Sequence, residues 1–385
     1  MIPFSKQNIN KDDINSVIKV LKSNYLTQGP KTLEFEKKIS KFVNSKYAVS
    51  SNSGSSSLHL ACLALGVSKN DIVWTVPNTY AASANCAINC GAKIDFVDID
   101  SETWNIDVIK LEKKLSSLKK KNLPKVLITV HFAGQPPEQK KIYELSKKFS
   151  FKVIEDASHA IGSKHYNEKV GSCKWSDITV FSFHPTKIIT TGEGGISTTN
   201  DIKLARKMML YRTNGITKNS KLFFNKGKPK PWYYEHQTSG YNYRMNDISA
   251  VLGISQLKRI NKFINRRNLI AKYYIRLFKK LPVKFQKINK HNISSYHLLI
   301  IKLDLTKFKF GYRKIFLKLR SKNFFVNLHY MPLHLSPYFK KKGFKKRNFP
   351  VSEDFSETAL SIPIYYELKL KKIDEIYKII KSFVK

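Results

Sequence analysis

Residues 182–195 read SFHPTKIITTGEGG, a run that leads from an apolar strand through one lysine, Lys187, into a glycine-rich turn. The preceding residues, DITVFSF at 177–183, are apolar and short, as expected of a buried strand. A lysine just past such a strand, shielded from water, can lose its proton and attack a carbonyl to form a Schiff base. Most lysines of this chain are expected to lie on the surface in contact with water. Lys187 differs from them in its position after a buried strand.

Strand-like runs alternate with helical patterns on both sides of this segment. Apolar residues at helical spacing predict helices at 11–22, 31–44, 56–65, 81–90 and 137–149. Short apolar runs predict strands at 47–51, 71–76, 93–99, 125–132 and 151–156. This alternation predicts an α/β fold with a mainly parallel sheet, which binds ligands at the carboxyl ends of its strands.

The pattern changes near residue 251, where long helical stretches at 247–280, 311–321 and 371–383 flank strand-like runs at 295–303 and 324–330. We therefore predict a large domain over 12–250 and a smaller C-terminal α/β domain over 251–385. Residues 1–11 are expected to pack near the active site. The Lys/Gly/Pro-rich segment 218–231 predicts an exposed loop.

The composition indicates a soluble cytoplasmic protein. The 385 residues include 69 Lys and Arg against 28 Asp and Glu, a net charge of +41, and no arginine precedes Arg206. A dispersed, lysine-biased charge favours a solvated surface over a nucleic-acid groove, although its field attracts anionic substrates. The four cysteines form no CxxC pair, which predicts reduced thiols and no metal site, and no apolar run is long enough to span a membrane.

Three further segments place polar or aromatic residues after predicted strands. In VIEDASHA (153–160), Asp156 ends a strand, where alone it could simply cap the next turn. SNSGSSSLHLA (51–61) joins a strand to the start of a helix. The free N–H groups of that helix start could bind a phosphate, or the segment could simply be a turn followed by a capped helix. Tyr80 could stack on a planar ring or fill the core. With Lys187, these features match the aldehyde, ring nitrogen, phosphate and ring face of pyridoxal phosphate (PLP).

The sequence resembles the DegT/StrS family of sugar-nucleotide aminotransferases from end to end. The matching segments are NYLTQGP (24–30), NSGSSSLHLACLALG (52–66), HFAGQP (131–136), VIEDASHAIG (153–162), SFHPTKIITTGEGG (182–195), GYNYRMNDISAVLG (240–253) and HYMPLH (329–334). The resemblance implies an aspartate-aminotransferase-like, fold type I architecture. Within the family it is strongest to the pseudaminic-acid pathway transaminases, through TQGP, VWTVPNTYAASANC and the PWYYE that precedes GYNYR.

The family pattern implies PLP as cofactor and assigns its contacts. Lys187 would be the lysine that binds the aldehyde and shuttles protons, and Asp156 would pair with the pyridinium nitrogen. His159 would contact the oxygen side of the ring, and Tyr80 would lie on the ring face. The phosphate would be held by Gly54, Ser55 and Ser182. Ser55 stands where many relatives have Thr, which also supplies a hydroxyl, and Lys187 excludes the dehydratases that have histidine there.

The resemblance also implies a homodimer with shared active sites, because Asn242 would reach the phosphate from the partner subunit. The sugar-nucleotide site would include Tyr25, Leu26, Thr27, His329, Tyr330 and Pro332. Since arginine first occurs at position 206, Arg244 is the first candidate for binding the glutamate carboxylate, although a lysine could replace it.

The implied reaction moves an amino group from L-glutamate to the C4 ketone of a UDP-linked 4-keto-6-deoxy-N-acetylhexosamine. The product would serve the synthesis of pseudaminic acid-type nonulosonates and surface glycans. Two alternatives remain open: another UDP- or dTDP-linked keto sugar as acceptor, or a PLP-fold scaffold that binds nucleic acid through its positive charge. We expect neither nucleic acid nor membrane as a partner.

Overall fold

A mainly parallel sheet forms the centre of the computed structural model, which describes residues 1–225 and 230–385. Its strands are β1 (Tyr47–Ser51), β2 (Ile72–Thr75), β3 (Lys93–Phe96), β4 (Val126–Val130), β5 (Lys152–Asp156), β6 (Ile178–Ser182) and β7 (Gly195–Thr199). They lie in the order β1-β7-β6-β5-β4-β2-β3, and β7 alone among them runs in the reverse direction. The predicted α/β class and parallel sheet are confirmed.

Helices cover this sheet and extend into the C-terminal region. They are α1 (Lys11–Leu21), α2 (Pro30–Val43), α3 (Gly54–Ala64), α4 (Ala82–Ile88), α5 (Val108–Ser117), α6 (Gln139–Phe149), α7 (Ile202–Arg212), α8 (Asp247–Leu257), α9 (Ile260–Leu277), α10 (Tyr312–Ser321), α11 (Pro337–Lys340), α12 (Pro350–Thr358) and α13 (Leu370–Ser382). The predicted helix over 247–280 is divided at Lys258 and Arg259 into α8 and α9. Within the described ranges, no helix is both long enough and apolar enough to cross a membrane.

A second, antiparallel sheet lies in the C-terminal region. It consists of β8 (Val283–Phe285), β9 (Leu299–Leu303) and β10 (Ala359–Ile362), in that order. These strands and helices α9, α10 and α13 share one core that contains Tyr274, Ile301, Ile315, Leu360 and Ile376. This arrangement agrees with a smaller α/β unit, while the boundary at residues 250 and 251 stays a prediction.

The predicted strand over 324–330 is wrong beyond Phe325. Phe324–Phe325 pairs with Ile2–Pro3, and Asn327 then makes a single bridge to Ser361. The following residues leave the sheet, and residues 327–330 form part of a cavity wall instead. The apolar residues of this segment therefore belong to a loop that packs against the large domain. An apolar run of this length does not distinguish such a loop from a strand.

Shorter elements complete the described chain. Two-residue strands occur at Lys164–His165, Glu168–Lys169, Ile216–Thr217, Glu235–His236 and Asn292–Ile293. Turns of 3-10 helix occur at Lys120–Asn122, Phe132–Gly134, Ser220–Leu222, Phe278–Lys280, Leu305–Lys307 and Leu333–Leu335. The predicted loop 218–231 is mostly exposed where it is described, and its residues 226–229 lie outside the described residues.

Asp247 joins two segments that are far apart in sequence. This buried carboxylate at the start of α8 accepts hydrogen bonds from the backbone N–H of Gly29 (2.8 Å), Lys31 (2.7 Å) and Thr32 (3.3 Å). Its own N–H donates to the carbonyl of Leu26 (2.9 Å). The N–H groups at the start of α2 have no partner within that helix, so Asp247 satisfies them and fixes the loop before it.

Replacement of Asp247 by alanine is expected to lower the free energy of unfolding by about 2–4 kcal/mol, because it leaves the backbone N–H groups of Gly29, Lys31 and Thr32 without this acceptor. Urea unfolding measures the loss. Asp12→Ala, at an exposed position in the first turn of α1, is the control and is expected to cost less than about 1 kcal/mol. Equal losses in the two variants would show that Asp247 is not an anchor.

Candidate active site

A cavity of about 560 Å³ lies at the carboxyl edge of the central sheet. It brings together nine of the residues predicted from the sequence: Gly54, Ser55, Tyr80, Asp156, His159, Ser182, Lys187, His329 and Tyr330. Its wall also includes Ser53, Leu58, Thr79, Ala82, Val130, Ser158, His184, Thr186, Glu193, Asn327 and Leu328. The size is that of a typical small-molecule site.

Lys187 lies in the loop after β6, where its N–H donates to the carbonyl of His184 (2.8 Å). The side chain is only partly exposed, and burial lowers the pKa of its ammonium to about 8, while the charge of Asp156 offsets part of that shift. The N-terminal segment contacts the same loop, because the Ser5 hydroxyl donates to the carbonyl of Thr186 (2.7 Å). The lysine therefore has an appreciable neutral fraction near pH 8.

Asp156 lies at the carboxyl end of β5, beside β6 in parallel register. Its Oδ2 accepts a hydrogen bond from the Ser83 hydroxyl (2.6 Å). Its Oδ1 accepts from the hydroxyl (2.6 Å) and N–H (3.2 Å) of Ser158. The side chain is buried, and these donors suit a carboxylate, which can only accept hydrogen bonds.

The start of α3 forms a cradle between β1 and β6. Ser53 is the N-cap residue, and its hydroxyl accepts from the N–H of Ser56 (3.1 Å), so the N–H groups of Gly54 and Ser55 remain at the cavity. A Cβ atom on Gly54 would lie 2.8 Å from the Cβ of Ser182, a distance that carbon atoms do not tolerate. Glycine therefore lets the helix start approach β6, and the resulting cradle is suited to an anion.

Neutral histidines and a tyrosine form another part of the wall. Tyr330 Oη lies 3.1 Å from His159 Nε2, and the two rings stack. The ring of His297 packs on His159 with centroids 4.4 Å apart. Burial, and then the charge of Lys187, lower the pKa of His329 to about 3, and the same causes hold the pKa of His159 well below its usual value. Burial raises the pKa of Tyr330, so all these groups are uncharged at neutral pH.

The other predicted site residues lie outside this cavity. Tyr25, Leu26 and Thr27 are exposed, and Thr27 bridges to Asn246 in the segment that carries Asn242 and Arg244. The fold thus brings the 25–27 loop and the GYNYR segment together, but neither lines the Lys187 cavity of the same chain. Pro332 is buried beside Leu333, whose N–H donates to the carbonyl of Pro77 (2.9 Å).

Several residues of the site were not indicated by the sequence pattern. Ser83 contacts Asp156 although it is 73 positions away, and it carries no motif that marks it. His297 comes from the C-terminal region and reaches His159 only through the fold. Ser158 is the exception, because a serine two residues after a strand-end Asp is a recognisable turn signal.

Comparison with known proteins identifies the class. The DegT/DnrJ/EryC1/StrS aminotransferase family matches residues 7–381, and the chain belongs to this family. The UDP-4-amino-4,6-dideoxy-N-acetyl-β-L-altrosamine transaminase of Campylobacter jejuni NCTC 11168 is 38% identical over 374 residues, which are 96% of this chain and 94% of the relative.

Solved structures agree with this assignment. PseC of Helicobacter pylori, an aminotransferase involved in the biosynthesis of pseudaminic acid, is 31% identical, with a TM-score of 0.88 and 99% of both chains covered. Spr1654 of Streptococcus pneumoniae, solved in a PLP form, is 28% identical, with a TM-score of 0.88, 99% of this chain and 98% of that chain covered. The predicted fold type I architecture is confirmed, and the protein is an aminotransferase.

Proposed function

We propose that this protein is a PLP-dependent aminotransferase that transfers the amino group of L-glutamate to the C4 ketone of a UDP-linked 4-keto-6-deoxy-N-acetylhexosamine. The observation that carries the proposal is the single cavity that Lys187 and Asp156 share. The names of the relatives from Campylobacter and Helicobacter support the pseudaminic-acid substrate class.

The residues of the cavity fit PLP. Lys187 provides an amine for its aldehyde, Asp156 provides a carboxylate for its ring nitrogen, and the cradle of Gly54, Ser55 and Ser182 suits its phosphate. His159 has a buried Nδ1 without a hydrogen-bond partner among the described residues, and Nε2 near Tyr330, so the ring can serve the oxygen side of the cofactor. When bound, PLP supplies an aldehyde that condenses with amines and a ring that accepts electron pairs.

Lys187 performs the proton transfers in this proposal. A pKa of about 8 lets the amine accept a proton at a substrate carbon and return it near neutral pH, which is the requirement for a general acid and base. His159 and His329 stay neutral beside it, because burial and the charge of Lys187 lower the pKa of both imidazoles. The loop contact of Ser5 with Thr186 helps to hold the lysine in place.

The substrate is expected to be anionic. The net charge of +41 creates a positive field that attracts a nucleotide diphosphate. Tyr25 and Leu26 are exposed on the GYNYR side, so an aromatic and an aliphatic side chain are available to a sugar or a base. Arg244 remains the first candidate for the glutamate carboxylate.

The active enzyme is proposed to be a homodimer with shared sites. Asn242 and the 25–27 loop lie outside the cavity of their own chain, and α1 exposes the apolar residues Ile14, Ile18 and Leu21. Exposed apolar residues along one helix face are typical of an interface. A second copy of the chain would supply Asn242 to the phosphate cradle.

Pyridoxal phosphate added to cofactor-free protein and then reduced with borohydride is expected to be found on Lys187 by peptide mapping. The yield after a fixed short time should rise as pH increases through about 8, because only the neutral amine attacks the aldehyde. Exposed lysines are the internal control, and they should react only near their usual pKa of about 10.4. A Lys187→Ala protein that is labelled as strongly as wild type would contradict the assignment.

Purified protein with L-glutamate is expected to aminate a UDP-4-keto-6-deoxy-N-acetylhexosamine at C4, as identified by NMR of the product. The comparison panel contains dTDP-linked 4-keto and 3-keto sugars and another UDP-linked keto sugar. Turnover should fall by at least about 10³-fold in Lys187→Ala, which lacks the proton-carrying amine. Activity confined to a dTDP sugar would reject the proposed acceptor but retain the aminotransferase.

Shared sites predict complementation between two inactive variants. Lys187→Ala and Asn242→Glu are each expected to be inactive, the second because its carboxylate repels the phosphate. A mixed dimer places the intact Lys187 of one chain beside the intact Asn242 of the other. Subunit mixing should therefore restore about a quarter of wild-type activity. If mixing restores nothing although mixed dimers form, the two residues do not meet across a dimer.

A further inference from the structure

Asp156 is held by a chain of hydroxyl groups that begins at the edge of the cavity. Thr79 Oγ1 lies 2.7 Å from Ser83 Oγ, and Ser83 Oγ lies 2.6 Å from Asp156 Oδ2. All three side chains are buried, with 2%, 0% and 6% exposure respectively. Water is therefore kept from this side of the carboxylate, and the hydroxyl chain takes its place.

The direction of this chain follows from its last member. An ionised carboxylate can only accept hydrogen bonds, so Ser83 must donate its single proton to Asp156. The Ser83 oxygen then accepts from Thr79, which donates its own proton. A relay with fixed donors and acceptors holds one orientation, whereas a lone carboxylate can rotate about its Cβ–Cγ bond.

The two oxygens of Asp156 are fixed from different elements. Ser158, two residues along the chain, donates to Oδ1, and Ser83 on α4 donates to Oδ2. Ser158 alone fixes only one oxygen and moves with the same loop. The contact from α4 ties the carboxylate to the segment that also carries Tyr80, the residue proposed to lie on the ring face.

We propose that Ser83 and Thr79 are positioning residues that orient the Asp156 carboxylate toward the ring nitrogen of PLP. The inference deepens the proposed function and rests on it. Neither residue is assigned to touch the cofactor through its hydroxyl; both act through Asp156. Segment 79–83 thereby carries Tyr80, the residue proposed for the ring face, and also orients Asp156, the partner of the ring nitrogen. The two contacts to the cofactor therefore keep fixed positions relative to each other.

Ser83→Ala is expected to weaken PLP binding by about tenfold, since a misoriented carboxylate loses part of a charge-assisted hydrogen bond. Titration of cofactor-free protein with PLP measures the dissociation constant. In 15N NMR with ring-labelled PLP, the bound nitrogen should shift toward the unprotonated value in Ser83→Ala. Ser83→Thr, which keeps a hydroxyl, should restore both readouts, and Thr79→Val should give a smaller loss of about two- to threefold.

Ser146→Ala is the matched control, because Ser146 is a buried serine on α6 that does not line the cavity and whose hydroxyl, among the described residues, donates to the carbonyl of Tyr143 (2.7 Å). It should leave PLP affinity and the nitrogen signal unchanged. If Ser83→Ala matches Ser146→Ala in both readouts while wild type binds PLP with a protonated ring, the positioning role is wrong and the proposed function stands. If wild type binds no PLP, both proposals fail.

Discussion

Lys187 and Asp156 are opposite charges that face one cavity, and the chemistry of the site depends on the electrostatic interaction between them. Burial makes the charged form of Lys187 energetically unfavourable, and the negative charge of Asp156 offsets only part of this effect. The positive charge in turn helps to keep His159 and His329 neutral, because a second cation beside it would be unfavourable. The wall therefore offers the amine of Lys187, the carboxylate of Asp156 and neutral hydrogen-bonding groups, which together suit an aldehyde, a ring nitrogen and an anion.

Packing around the two groups keeps this arrangement in place. Asp156 ends β5 and Lys187 follows β6, and these strands are parallel neighbours, so both side chains emerge at the same edge. In the C-terminal region, the guanidinium of buried Arg267 donates to the carbonyls of His297 (3.0 Å) and Ile364 (3.0 Å). Burial lowers the pKa of Arg267 to about 10, which still leaves it charged. A buried cation satisfied by carbonyl groups fixes the loop that carries His297.

The fold was largely predictable because its elements are regular. Short apolar runs predicted β1 to β6, and apolar residues at helical spacing predicted most helices around the large sheet. The patterns did not indicate β7, since GISTT at 195–199 is short and polar and follows a glycine-rich turn, yet it pairs with both β1 and β6. Motif residues such as Lys187 and Asp156 were predicted from the sequence, and both line the cavity. The Ser83 and His297 contacts were not, because each joins segments more than 70 positions apart.

The amino-acid sequence by itself determined the α/β class, the strand-end positions of the polar residues and the types of group available for chemistry. These are local properties, because propensity, periodicity and turn composition act over a few residues. Only the tertiary structure decided which strand ends are neighbours, how deeply Lys187 is buried, and which hydroxyl orients Asp156. The physical reason is that burial and electrostatic interaction depend on distances between atoms in space, and chain separation does not determine those distances.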